Sequence, residues 1–304
     1  MRNYQPSNIA PSQGVAILAA SSLVSGVAIG GATAFIGKFI YFIVLFPLAM
    51  GFATGSVLGF AVKKGKIRSP ITALGLGLLG GLVTYGSLMY GQYMNFQQET
   101  ATIMEREYNV KDKNLANEQI NVFLQQETGS SGFVGFLKIS AKEGITISGR
   151  GSSKITIKDN FAYLLWLIEL GVVGFLAASI PFKSASEPFN EEANEWYGEK
   201  KWVGSATEES RDELIRLLNM DDMAGAAALL SNPTTDLPTP RIDVYSQSCA
   251  DVPFSDSVII VSYVSTNAKK QLEVKEILTG LVSESQRSQL VPQTSAPTPE
   301  TPEA

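Results

Sequence analysis

The 304-residue chain contains no histidine and a single cysteine, Cys249. The first absence removes the side chain that titrates nearest neutral pH and is the commonest general base. The second leaves no thiol pair for a disulfide and gives Cys249 no imidazole to activate it, so it reads as a core thiol. Structural zinc needs four thiolate or imidazole donors, which the composition cannot supply. No metal, cofactor or catalytic residue is therefore expected, and the chain is not read as an enzyme. The acid pairs Asp221–Asp222 and Glu191–Glu192 sit in acid-rich contexts and read as solvated surface. No nucleotide-binding motif occurs. Residues 183 to 304 carry ten basic against twenty acidic side chains, the wrong balance for binding nucleic acid.

Charge is also nearly missing from four long runs, residues 14 to 37, 39 to 62, 70 to 94 and 161 to 182, the last of which holds the one acid Glu169. Each reaches the roughly 20 residues that a helix needs to cross a hydrocarbon layer of about 30 Å. The fold class expected is membrane α-helical, with four transmembrane helices. The first 13 residues are polar and no small-residue cleavage site closes the first run, so a removable signal peptide is not expected. The joint at Gly37-Lys38 is the weak point of the count, because the first two runs would otherwise form one re-entrant element.

The loop between the second and third runs, KKGKIRSP, holds Lys63, Lys64, Lys66 and Arg68 and no acid. The positive-inside rule assigns it, and with it both termini, to the cytoplasm, where these four side chains would contact anionic lipid. The same orientation gathers Tyr90, Tyr93, Tyr163 and Trp166 at the outer interface, the level at which aromatic belts occur.

Small residues recur at helical spacing: Ser22, Gly26 and Gly30 in the first run, Gly51, Gly55 and Gly59 in the second, Gly77 and Gly81 in the third. Such stripes let helix backbones approach closely. They read as the packing surfaces of these four helices, the alternatives being a self-association face or a pore lining. Pro47 is expected to kink the second span. One ionisable side chain, Glu169, lies inside a span, at a cost of several kcal/mol. With no cation in another span, its partner would be a hydroxyl such as Ser25, Thr54, Thr84 or Tyr85, or it would stay protonated.

Between the third and fourth spans, residues 95 to 160 read as a small extracytoplasmic α+β insertion. One or two solvated helices come first, then a short helix closed by Gly144. A hairpin follows, setting Ile145 and Ile147 against Ile155 and Ile157 around a Gly-Ser turn. That turn, with Arg150 and Lys154, lacks P-loop spacing. Residues 183 to 288 read as a small, acidic cytoplasmic α+β domain. A helix pair or one broken helix begins at a Thr207 cap and carries Leu214, Leu217, Leu218, Leu229 and Leu230. Strand-like runs follow at RIDVYSQS, DSVIIVSYVS and QLEVKEILTGLVS. Residues 289 to 304, rich in Pro, Thr and acid, are expected to be disordered.

The segments FPLAMGFATGSVLGFAVKKGKIRSP, GFLKISAKEGITISGRG, LLWLIEL and EPFNEEANEWYGE together resemble a family of bacterial multi-span membrane proteins of no assigned activity. The resemblance, over about residues 14 to 280, implies an inner-membrane location and a zinc-ribbon-like cytoplasmic domain built on two Cys pairs. Asn190 and Ala193 fall where the first pair would be, Cys249 and Val252 where the second would be. Three of the four ligands are thus replaced, and the ribbon here would be degenerate. The aromatics around the first pair, Phe189, Trp196, Tyr197 and Trp202, would either pack in place of the metal or lie at the lipid surface.

Two classes of function stay open. One is a structural, interaction or assembly component held in the lipid bilayer, with an unidentified protein partner or as a homo-oligomer. The other is an oligomeric channel or transporter that uses Glu169.

Overall fold

The computed structural model describes residues 1–39, 42–148, 154–231, 237–249 and 255–291. The chain opens with a two-residue strand, β1 (Arg2–Asn3), and continues through three long helices, α1 (Ser12–Ile36), α2 (Leu45–Lys64) and α3 (Pro70–Tyr108). Two shorter helices, α4 (Lys113–Thr128) and α5 (Gly132–Glu143), precede a hairpin of β2 (Ile145–Ser148) and β3 (Lys154–Ile157), and α6 (Asn160–Ala185) follows. The chain divides into two compact units: residues 8–186, and residues 1–7 together with 187–304.

In the helical unit, α1, α2, α3 and α6 are each long and apolar enough to cross a membrane. The chain runs up α1, down α2, up α3 and down α6. One small core, with Leu18, Leu58, Val62, Ile67, Ala73 and Ala185, therefore collects the start of α1, the end of α2, the start of α3 and the end of α6.

Helix ends depart from the hydropathy pattern for local reasons. α2 takes the apolar run that begins at residue 39 only from Leu45 on, because α1 ends at Ile36 and the chain reverses between the two helices. Pro47 falls in the first turn of α2, where a missing N–H costs no helical bond, so it is not the interior kink expected of it. The interior proline is Pro181, in α6. Ser69 caps α3 by accepting the Thr72 N–H, with Pro70 at the first helical position. The helix then runs 39 residues, about 58 Å at 1.5 Å per residue, and stops at Asn109 in the left-handed conformation.

The C-terminal half of α3 outlasts the apolar run because Tyr93, Phe96 and Met104 keep one face packed against Ile120 and Leu124 of α4 and Phe136 and Ile139 of α5. Gly144 ends α5, and the β2–β3 register pairs Ile145 with Ile157 and Ile147 with Ile155. The turn that contains Arg150 lies outside the described residues.

The second unit is a five-stranded antiparallel sheet of β6 (Lys201–Thr207), β7 (Arg241–Gln247), β8 (Ser257–Thr266), β9 (Leu272–Val282) and β1, in the order β1-β9-β8-β7-β6. Alternation along the strands makes two cores. One face, with Ile242, Val244, Ile259 and Val261, is covered by α7 (Arg211–Asn219), α8 (Met223–Leu229) and α9 (Glu284–Leu290). The other, with Val258, Ile260, Tyr197 and Cys249, is covered by a hairpin of β4 (Phe189–Asn190) and β5 (Glu195–Trp196).

Four features differ from the sequence reading. The polar start of the chain is part of this sheet: β1 pairs with Leu281 and Gly280 of β9, and the Met1 side chain lies against Gly280. The strand Lys201–Thr207 had given no signal. Thr207 precedes a one-turn 3-10 helix and accepts no backbone N–H there; the α8 cap is Asp222, which accepts from Gly225. Gln289 and Leu290 belong to α9 rather than to the tail, and Leu290 is in the core. Residues 292–304 lie outside the described residues.

Candidate functional site

Two places hold the residues singled out by the sequence. The first is the helix-packed interior of the helical unit. Glu169 of α6 is only 4 % exposed, and its Oε2 accepts a hydrogen bond of 2.9 Å from the hydroxyl of Tyr85 on α3, itself buried. Of the four hydroxyls considered, Tyr85 is the partner. Thr54 and Thr84 bond to each other instead at 2.9 Å, and Ser25 bonds back to the Ser21 carbonyl. The acid therefore ties α6 to α3 beside Met50, Leu88 and Val173.

The glycines meet neighbouring helices within the chain. A methyl group at Gly26 would lie 2.8 Å from Val83, at Gly51 2.9 Å from Leu176, at Gly55 2.6 Å from the Leu176 carbonyl, and at Gly59 3.1 Å from Ile180 and Ser184. At Gly77 and Gly81 it would lie 2.6 Å and 2.7 Å from the Cα atoms of Ala178 and Gly174, and at Gly30 it would collide with the Thr84 carbonyl. All seven stripe glycines are thus occupied by α1–α3, α2–α6 and α3–α6 contacts. Within the four long helices, the glycines with open space around them, Gly31, Gly75, Gly86 and Gly171, are ones the stripes did not include.

The basic loop closes the same end of the bundle as the start of α1, since Gly65 touches Gly14 and the Arg68 N–H donates to the Ile9 carbonyl at 2.8 Å. Lys64 is exposed and Lys63 and Lys66 are half-buried. Arg68 is a correction to the expected lipid contacts: it is 8 % exposed, drawn in with its fully buried neighbour Ile67. At the opposite end, Tyr90 and Tyr93 both stack edge-on against Phe133 of α5, and Tyr163 meets Trp166 at 5.3 Å between ring centres. Phe133, with Leu137, also packs on the core that includes Trp166.

The second place is the turn between β4 and β5 in the sheet unit. Asn190, 5 % exposed, accepts through Oδ1 the backbone N–H groups of Glu192 and Ala193, both at 3.0 Å. Ala193 packs on the cluster that holds Cys249, and the Cys249 thiol interacts with Asn190, Glu195 and Ser255. Three of the four positions that the resemblance singled out therefore converge; Val252 lies outside the described residues. Burial first, and then hydrogen bonding to Glu195, pushes the thiol up to about 11. Burial likewise raises the neighbouring Tyr197 phenol. Phe189 is buried and stacks on Trp196 at 5.0 Å, so packing takes these aromatics along with Tyr197, and Trp202 alone of the four is exposed. No group of three or more Cys, Asp and Glu side chains placed to hold a metal ion occurs among the described residues.

The acid pairs do different work. Glu191 and Glu192 are exposed. Asp221 receives the Met1 ammonium and the Gln286 amide, which hold its carboxyl below the usual range, and Asp222 caps α8. Asp221 and Asp222, though exposed, are thus engaged in contacts that the reading as solvated surface did not include.

No family model, curated protein or solved structure matches this chain.

Proposed function

We propose that the chain is an integral membrane protein that presents its sheet unit on one side of the bilayer as a structural, interaction or assembly component, with no catalytic role. One observation carries the reading. The residues before the first long helix and those after the last build a single sheet, so both must lie on the same side, as an even number of crossings requires. The bundle then serves as an anchor that holds one folded unit by two tethers. Lys63, Lys64 and Lys66 stand at the end of the bundle where α1 starts and α6 stops, which supports a cytoplasmic position for both termini and for the sheet unit. The α4, α5 and β2–β3 segment would then lie outside, and Tyr90, Tyr163, Trp166 and Phe133 at the outer interface.

The convergence of Asn190, Ala193 and Cys249 supports the reading of the β4–β5 turn as a knuckle whose first ligand has become a carboxamide, the fold being held there by hydrogen bonds and apolar packing. That agrees with the resemblance to bacterial inner-membrane proteins carrying a zinc-ribbon-like domain.

Glu169 decides between this function and transport. Its bond to a buried tyrosine supports a packing role. In liposomes of purified protein, E169Q is expected to leave ion and proton leak at the level of the unmodified protein and to alter only stability, because Gln can still accept from Tyr85. A flux present in the unmodified protein and abolished by E169Q would overturn the assembly reading in favour of a channel or transporter.

A further inference from the structure

The sheet ends on one side in an edge that is only half covered. β1 pairs with Leu281 and Gly280, and the Tyr4 N–H donates to the Thr279 carbonyl. Beyond that point the outer edge of β9, from Leu272 to Ile277, receives no strand among the described residues. Its inner edge is fully laddered to β8, with Leu272 opposite Thr266 and Val274 opposite Val264. The stretch is therefore rigid, extended, and equipped with outward-facing backbone donors and acceptors, the arrangement that accepts an added strand. Leu272 and Val274 are 64 % and 58 % exposed.

The side chains select the strand. Two copies meeting edge to edge about a two-fold axis perpendicular to the sheet pair residues of the same face, so the pairing must centre on one residue. Centring on Glu273, Lys275 or Glu276 sets like charges directly opposite each other, which is destabilising. Centring on Val274 pairs Val274 with itself and sets Glu273 opposite Lys275 twice. Lys275, a charge that would block indiscriminate edge pairing, is neutralised in that register alone.

We infer that the chain self-associates through β9, Val274 lying on the two-fold axis, to form a continuous ten-stranded antiparallel sheet across two copies. The inference rests on the assembly reading and names its partner as a second copy. Anchoring both copies in one bilayer raises their effective concentration.

Disulfide trapping of the full-length protein in lipid nanodiscs or mild detergent tests it. Directly opposed residues have Cα atoms about 4.5–5.5 Å apart, inside the range a disulfide spans, whereas Glu273 and its own copy would be about 8 Å apart. V274C is expected to give a covalent dimer under mild oxidation. E273C alone is not, and E273C mixed with K275C is. The buried Cys249 leaves the unmodified protein as the blank. Mass photometry supplies the second readout: K275E converts both ion pairs to like-charge pairs and is expected to raise the dimer dissociation constant by about tenfold or more. The E273K/K275E double exchange is expected to restore it.

An oligomer that V274C does not trap and K275E does not weaken overturns the β9 pairing and leaves the assembly reading standing. So does a single copy bound stoichiometrically to a different protein. A single copy with no companion overturns both.

Discussion

Four glycines of one helix make a matched experiment on the packing of the bundle. On α3, Gly77 and Gly81 face α6 across backbone-to-backbone contacts, while Gly75 and Gly86 have nothing within 4 Å. Replacing any of them with Ala gains about 1 kcal/mol of helix propensity. At Gly75 and Gly86 nothing opposes that gain. At Gly77 and Gly81 the new methyl would start 2.6 Å and 2.7 Å from the Cα atoms of Ala178 and Gly174. It would have to move out by about 1 Å to reach an ordinary carbon contact of about 3.5–4.0 Å. Because the opposing atoms are backbone, the helices must separate, and overpacking of that kind costs about 1–3 kcal/mol per site. The G75A/G86A and G77A/G81A doubles should therefore differ by about 2–6 kcal/mol, the first at or above the unmodified protein and the second at or below it. Thermal unfolding in mild detergent, followed by helical circular dichroism, reads the difference. Equal stability of the two doubles would refute the α3–α6 seam. Loss of an oligomer in G77A/G81A with no loss of stability would return those glycines to a self-association face.

The sheet unit and the basic loop give three more expectations. Folding raises the Cys249 thiol above its ordinary value of 9.0 to about 11, so the thiol contributes stability that is fully present below about pH 9 and is lost as pH rises toward 11. Alkylation of the folded protein should accordingly stay slow through pH 9, and a rate that rises with a midpoint at the ordinary thiol value would contradict the burial. Asn190→Ala removes the acceptor of two amides in a buried turn and should cost about 1–3 kcal/mol, with N190D milder because it keeps an acceptor; unfolding midpoints that do not separate the two would refute the knuckle. K64A should weaken binding of an anionic lipid to the detergent-solubilised protein by about 1 kcal/mol without changing stability, whereas R68A, at a buried position, should lower stability; the reverse pattern would restore Arg68 to the lipid-facing set.

What the sequence made legible was whatever has a local cause. Nearly charge-free runs of helix length located α1, α2, α3 and α6, and the isolated Glu169 drew attention to itself because its context was otherwise apolar. The spacing of Asn190 and Ala193 pointed to a turn that the structure joins to Cys249. The misses share the opposite property. β1 is two residues long and has no pattern of its own; it becomes a strand only because the β9 edge is there to receive it. Asp221 reads as solvated among acids, since its partner Met1 is 220 residues away in sequence. Hydropathy carries α2 six residues too far toward its start, because Phe42, Ile43 and Val44, which precede the helix, are as apolar as the residues that follow. Arg68 carries the charge of a surface residue, and only the packing of Ile67 and the bond to Ile9 show that it is drawn inside.

The central claim is that the bundle anchors a unit made for assembly. Its most direct test is the mass of the full-length protein isolated in mild detergent, with co-purifying chains identified by mass spectrometry. The account predicts a defined complex, either a multiple of the 32.7 kDa chain or the chain with a stoichiometric companion. A homogeneous species of one 32.7 kDa chain without any companion would contradict it.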